Sequence, residues 1–210
     1  MSEICHELHQ SFHNLKLHSF PFNEKEIPLN GIYILFEEGE LAHGTNRIVR
    51  VGTHTGKDQL RSRLKQHFII ENKDRSIFRK NIGRALLNSD HDPFLEQWEL
   101  DLTTHDAKLN HSANINFAKQ KQVERLVTEY IQRNFKFVTF EVKTKEERLK
   151  WESRIISTVF KCDECKPSPQ WLGLKSPKDK IRNGGLWLVN ELNKKALSED
   201  EFKELRFLLG

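Results

Sequence analysis

Two runs dense in β-branched, aromatic and leucine residues, Gly31–Glu37 and Arg47–Thr53, flank a segment with Gly39, Gly44 and Asn46. The pattern predicts a β-hairpin with a long loop. After Gly56 the period changes: Leu60, Leu64 and Phe68 recur every four residues and mark one face of a helix, with Arg63 and His67 four apart on a neighbouring face. Ser76–Leu87 carries another helical stripe through Ile77, Phe78, Ile82, Leu86 and Leu87, and Phe117–Phe135 a third through Val123, Leu126, Val127, Tyr130 and Ile131. Phe135–Val142 alternates as a strand does. Thr144 and Glu147 form a capping-box pattern that starts a helix at Lys145 and runs to Phe160; Ser198 and Glu201 repeat the pattern before Phe202, Leu205 and Leu209. Ile4, Leu8 and Phe12 predict a short N-terminal helix. Between these elements, Trp98–Leu102 has strand composition, Thr103–Asn116 reads as a polar loop, Lys166–Gly185 as a proline-rich loop, and Leu186–Leu192 as a short helix or strand.

These elements predict an α+β fold: a small antiparallel sheet of three strands flanked by helices. The organisation expected is an N-terminal extension over 1–30, a main domain over 31–190 with a helical insertion at 69–134, and a C-terminal helix over 191–210 that packs on the domain. A chain of 210 residues is long enough to bury a substantial core. No run of eighteen apolar residues exists, and the first residues lack the basic start and apolar run of a signal peptide, so a cytoplasmic location is expected. The net charge of +4 and a pI near 8.9 lean mildly towards a polyanionic partner. The basic residues Arg75, Arg79, Lys80 and Arg84 interleave with the stripe of Ser76–Leu87, and they suit a solvated face or a face near nucleic-acid phosphates about equally.

Three cysteines, Cys5, Cys162 and Cys165, do not suggest a disulfide framework. Cys162-Asp-Glu-Cys165 is a lone CxxC, two ligands short of a structural zinc site, and Cys5 and His6 complete it only by folding back from the N-terminus. The favoured reading is one buried and one exposed cysteine near a helix end. The histidines His6, His9, His13 and His18 fix no ligand set by spacing and read as a solvated face.

Gly31-Ile32-Tyr33, then Val51-Gly52 in the second strand, then Arg63 and His67 on the first helix, followed by Glu152 on a later helix, occur in the order of the GIY-YIG nuclease family, which the chain resembles over roughly Gly31 to Trp187. The family's last signature is an asparagine in the loop after the glutamate helix, where Gln170 of KPSPQWLG stands. The chain departs from the pattern at Arg50, where the second motif begins with tyrosine, in the longer spacing between the two motifs, and in the apparent insertion. His54, in the loop Thr53–Gly56, is a candidate to replace the missing hydroxyl, and Gly31 and Gly52 are expected as structural turn residues.

The resemblance implies a Mg²⁺-dependent endonuclease, with Mn²⁺ as a substitute, acting on nucleic acid, DNA before RNA. Tyr33 would be the base, Arg63 and His67 the groups on the phosphate, and Glu152 the metal ligand. Cleaving both strands needs two sites or two visits, which leaves room for a dimer. Two other classes remain open at this stage: a nucleic-acid-binding protein on the same fold that has lost cleavage, which the Arg50 and Gln170 departures favour, and a scaffold with no nucleic-acid role.

Overall fold

A computed structural model describes residues 2–210; Met1, part of the expected N-terminal extension, lies outside them. Its centre is a four-stranded antiparallel sheet: β1 (His18–Ser19), β2 (Gly31–Ala42), β3 (Thr45–Gly52) and β4 (Phe135–Glu141), in the order β1-β4-β2-β3. The fourth strand, absent from the sequence reading, is the two-residue β1, which pairs His18 with Phe137 and Ser19 with Lys136. Strand β2 is central, with Tyr33 opposite Gly52 on one side and Thr139 on the other.

Both faces of β2 are covered, because alternate residues are apolar in both directions. Ile32, Ile34 and Phe36 join Val138 and Phe140 under α1 (Ser2–His13), α7 (Lys145–Phe160) and α9 (Glu199–Leu209). Tyr33 and Leu35 join Phe135 and Phe137 under α2 (Leu60–Phe68), α3 (Ile77–Ser89) and α6 (Phe117–Asn134). The molecule is therefore a sheet between two helical layers. Segment 69–134 supplies Phe78, Ile82, Val127 and Ile131 to the second core, so it is integral to the packing. The predicted caps form as the sequence suggested: Thr144 accepts from the Glu147 N–H, and Ser198 and Glu201 make the reciprocal capping box.

Several expectations change. The hairpin loop is not long: the strands run on to Ala42 and Thr45 and close through His43 and Gly44, both at positive φ (53° and 74°), as a two-residue turn matched to strand twist. Trp98 lies not on a strand but on α4 (Phe94–Glu99), because its indole docks over Gly83 of α3 and donates to the Lys80 carbonyl (3.0 Å). Thr103–Asn116 is not all loop: it contains α5 (His105–His111). Leu186–Leu192 is neither helix nor strand. The Trp187 N–H donates to the Val49 carbonyl on the open edge of β3 (2.8 Å), and its indole N–H to Glu37 (2.8 Å). A short α8 (Asp179–Gly184) sits in the proline-rich segment and ends at Gly185 in the left-handed region. The expected histidine face is also not solvated throughout, since His9 and His18 are buried.

Buried carboxylates lock the layers together. Glu37 of β2 accepts hydrogen bonds from Tyr130 (2.5 Å), Trp171 (2.7 Å) and Trp187. Arg47, fully buried, donates to Glu40 (2.8 and 2.5 Å) and to the Gly185 carbonyl, and so ties the 166–185 segment to the hairpin. In α3 the basic residues are neither a solvated face nor a free phosphate face. Arg79 pairs with Glu124 (2.7 Å) and Arg84 with Glu99 (2.5 Å), and Lys80 donates to the Glu99 carbonyl (2.8 Å); all three cations are buried.

Gly31 and Gly52 do not serve as turn residues, since both lie in strands and neither has positive φ. What matters is the space of a missing Cβ: at Gly52 that atom would lie 2.2 Å from the Tyr33 hydroxyl, and at Gly31 2.1 Å from the Phe140 carbonyl oxygen. Gly52→Ala is expected to displace the Tyr33 ring and to lower stability by about 1–3 kcal/mol, read as a reduced urea midpoint with an unchanged slope.

Candidate active site

Tyr33 points from the centre of the sheet towards α2. Its hydroxyl is 2.7 Å from His67 Nε2, and His67 Nδ1 is 2.7 Å from Ser76 Oγ, which also caps α3 by accepting from the Arg79 N–H (3.2 Å). From the other side Arg50 Nε donates to the Tyr33 oxygen (3.3 Å), while Arg50 Nη1 donates to the Trp187 carbonyl (2.5 Å). Arg50, standing where the second motif has tyrosine, is thus the neighbour of the first-motif tyrosine. Tyr33 and His67 are both fully buried, and neither lines a cavity around Glu152. His67 is fully buried, whereas Arg63, one turn earlier on α2, is half-exposed and lines the cavity.

Glu152 sits where two cavities meet. One, of about 430 Å³, is bounded by Arg50, Asn81, Trp187, Asn190 and Glu191; the other, of about 420 Å³, by Thr53, His54, Ser62, Arg63 and Gln66; Glu152 and Leu149 line both. The Thr53 N–H, just past the end of β3, donates to Glu152 Oε1 (3.1 Å). Arg148, a possible surface partner for Glu152 by its spacing, instead donates to the Lys143 carbonyl (2.8 Å). Arg63 is held by Gln66 Oε1 and the Arg75 carbonyl, both through Nη1 at 3.1 Å, which leaves its remaining N–H groups for the cavity. Two guanidinium groups therefore bracket one carboxylate, a geometry suited to a phosphodiester and a hard cation.

The Glu152 carboxyl is raised above the usual carboxylate range by burial, against the pull of Arg50, the Thr53 N–H and Arg63, and Glu191 raises it further. Its Oε2 accepts no hydrogen bond among the described residues. An oxygen donor in that condition fits a divalent cation such as Mg²⁺.

The other predicted residues divide. His54 lines the Arg63 cavity, but its Nδ1 bonds the Gly56 carbonyl (2.7 Å) and its Nε2 accepts from the Gly31 N–H (3.3 Å); burial lowers its pKa. Both ring nitrogens thus hold the loop against the start of β2. Gln170 is exposed and lines neither cavity, whereas Asn190, also beyond the Glu152 helix, lines the one with Arg50. Sequence reasoning missed Asn190, Asn81 and Ser76, and took Arg50 only as a departure. Asn190 lies twenty residues beyond Gln170, after the Asn183-Gly-Gly turn.

His67 is held well below its ordinary pKa, first by burial and then by Arg63, Arg50 and Arg79, so it is neutral in the folded state. The unfolded chain takes up a proton at this position below about pH 6.5, and the folded one does not. The neutral imidazole's contribution is therefore complete above that pH and is lost as pH falls below it. The stability advantage of wild type over His67→Gln is expected to narrow by up to about 1.4 kcal/mol per pH unit as pH falls from about 6 to about 5, checked by urea unfolding across that range.

A scan against family models matches the GIY-YIG domain over residues 2–205, which takes in the N-terminal helix and most of α9 as well as the motif-bearing centre. Comparison with curated proteins gave no match, and neither did comparison with solved structures. No helix is long and apolar enough to cross a membrane among the described residues. With the match spanning nearly the whole chain, the chain belongs to the GIY-YIG family, a family of nuclease type that acts on nucleic acid.

Proposed function

We propose that the protein is a Mg²⁺-dependent endonuclease that hydrolyses phosphodiester bonds in DNA at the Glu152 cleft. The observation that carries this reading is the half-buried Glu152, with one carboxylate oxygen free of hydrogen bonds, between Arg50 and Arg63 at the junction of two open cavities. GIY-YIG nucleases usually use divalent metals. A Mg²⁺ held by Glu152, with Mn²⁺ as a substitute, would supply Lewis acidity to the scissile phosphate and its leaving oxygen.

The chain's own groups do the rest. Arg63 and Arg50 orient the phosphate from opposite sides and stabilise the charge that builds on it. Asn190, facing the same cavity as Arg50, takes the role of the signature asparagine in place of Gln170. Tyr33 is the base. In the free protein Arg50 stands between its hydroxyl and the cavity. Once the Arg50 guanidinium turns onto the phosphate, the hydroxyl is opened to the attacking water. The neutral His67 accepts the phenolic proton at Nε2 as Tyr33 takes one from water, and its Nδ1–H remains on Ser76. His54 keeps the Thr53–Gly56 loop, and with it the Thr53 N–H, on Glu152.

A second reading is favoured by a specific observation. Tyr33 has no exposed surface and already bonds His67 and Arg50. If Arg50 never leaves it, the protein binds nucleic acid without cutting, and α6, with Lys121, Arg125 and Arg133 exposed, becomes a natural contact surface.

Nicking of supercoiled plasmid, and of branched DNA, in Mg²⁺ or Mn²⁺ separates the two. Wild type is expected to nick, and Glu152→Ala or Arg63→Ala to be slower by about 10²–10³, the cost of one lost electrostatic contact to a transition state. DNA retention that falls steeply with salt should survive in both variants. Wild-type cleavage matched by Glu152→Ala would remove Glu152 from the site; salt-sensitive binding with no cleavage of any substrate would establish the binding module. Tyr33→Phe is expected to abolish turnover while leaving DNA retention unchanged, and undiminished turnover would take the base role from Tyr33.

A further inference from the structure

The soft donors of the chain gather away from Glu152, in the layer of α1 and α7. Helix α1 folds back over the sheet and brings Cys5 and His9, one turn apart, against the CxxC that follows α7 and against His43 in the β2–β3 turn. The donor atoms of Cys5, His9, His43 and Cys165 all lie within 4.8 Å of one another. All three cysteines are buried and free, which corrects the expectation of one exposed member in the CxxC pair.

The separations approach those of a coordination shell, which an ion at the centre would draw in. Zn–S bonds near 2.3 Å and Zn–N bonds near 2.0–2.1 Å put tetrahedral ligand atoms roughly 3.3–3.8 Å apart. Cys5 Sγ is 3.5 Å from Cys165 Sγ, Cys165 Sγ is 3.5 Å from His43 Nε2, and Cys165 Sγ is 3.9 Å from His9 Nε2. The outer groups are also those of metal-binding imidazoles. His9 Nδ1 bonds the Cys5 carbonyl oxygen (2.9 Å), which puts its proton there and turns the Nε2 lone pair inward, where it receives only a long 3.4 Å contact from the Ile48 N–H. The His43 side chain is fully buried, and its Nδ1 makes no hydrogen bond, with Glu164 Oε2 3.4 Å away. The Glu164 carboxylate thus stands beside the outer nitrogen of His43 while Nε2 faces the sulfurs, as a carboxylate does beside many zinc-bound imidazoles.

We propose that Cys5, His9, His43 and Cys165 bind one Zn²⁺ ion as a closed, tetrahedral structural site. Two sulfurs and two imidazole nitrogens with no open position suit zinc over the hard cation that Glu152 would take. The ion fastens the N-terminal helix to the hairpin turn and to the end of α7, three segments far apart in sequence. Cys162 Sγ, 3.3 Å from His43 Nε2, lies just outside the shell.

The test is metal analysis of the purified full chain, with Co²⁺ substitution to read the geometry. About one zinc per chain is expected, replaceable by Co²⁺ with the strong visible absorption of a tetrahedral site and a sulfur-to-metal charge-transfer band. Cys165→Ser should lose the metal. His43→Asn should lose it too while keeping a residue that tolerates the left-handed turn, so its loss is read on folded protein by circular dichroism. Glu152→Ala should retain the full complement, which keeps this site separate from the nuclease reading. Protein that carries no zinc and takes up no Co²⁺ overturns the proposal. So does a Cys5–Cys165 disulfide in place of free thiols. Metal retained in His9→Asn but lost in Cys162→Ser overturns the Cys₂His₂ ligand set.

Discussion

Strand β2 is buried on both faces, and most other features follow from that. A strand open to water on one side can leave polar side chains in solvent; here each buried polar group on β2 must meet its partner inside the protein. Tyr33 meets His67, which meets Ser76. Glu37 draws a tyrosine and two tryptophans from three separate segments. Glu40 takes Arg47 and the Ser168 N–H. Each bond is modest by itself, yet leaving any of these groups unpaired would cost more than forming the pair gains. The partners are therefore constrained in place, and they include residues that sequence distance would never associate.

The same constraint shapes the cleft. Arg50 is held at two points, by the Tyr33 oxygen and the Trp187 carbonyl, and Trp187 is in turn held by Glu37 and the edge of β3. The wall of the Glu152 cavity is thus an extension of the core's own hydrogen bonding. Arg63, by contrast, is anchored only to the neighbouring turn and its own helix. One guanidinium is set by the core and the other by the surface, and the carboxylate lies between them.

How much of this was legible in the sequence depends on the range of the interaction. The helices over 60–68, 117–134 and 145–160 and the caps at Thr144 and Ser198 are written in local period and local side-chain chemistry, and they are where the pattern puts them. The motif order pointed to Tyr33, Arg63 and Glu152 near one place. Local reasoning failed wherever a distant partner decided. Trp98 is helical because Gly83 leaves room for its ring. Arg79, Lys80 and Arg84 look like a phosphate-binding face until Glu124 and Glu99 are brought to them. Arg50 reads as a lost tyrosine until the sheet register sets it beside Tyr33. Gln170, close to α7 in sequence, is exposed and lines neither cavity, while Asn190 comes to the cavity only after the chain doubles back. His43 carried no signal at all, since only the two-residue turn turns it towards the cysteines.

The docking of α1 bears on how the protein is made. Its apolar face rests on β3, α7 and α9, and the last of these supplies Arg206 to Glu7 across nearly the whole length of the chain. Central strand β2 likewise waits for β4, about a hundred residues later, to cover its second edge. During synthesis the apolar face of the first helix therefore waits for α9, and the second edge of β2 for β4. Such an order of assembly, in which an early segment is completed by late ones, ties completion of the fold to the progress of synthesis.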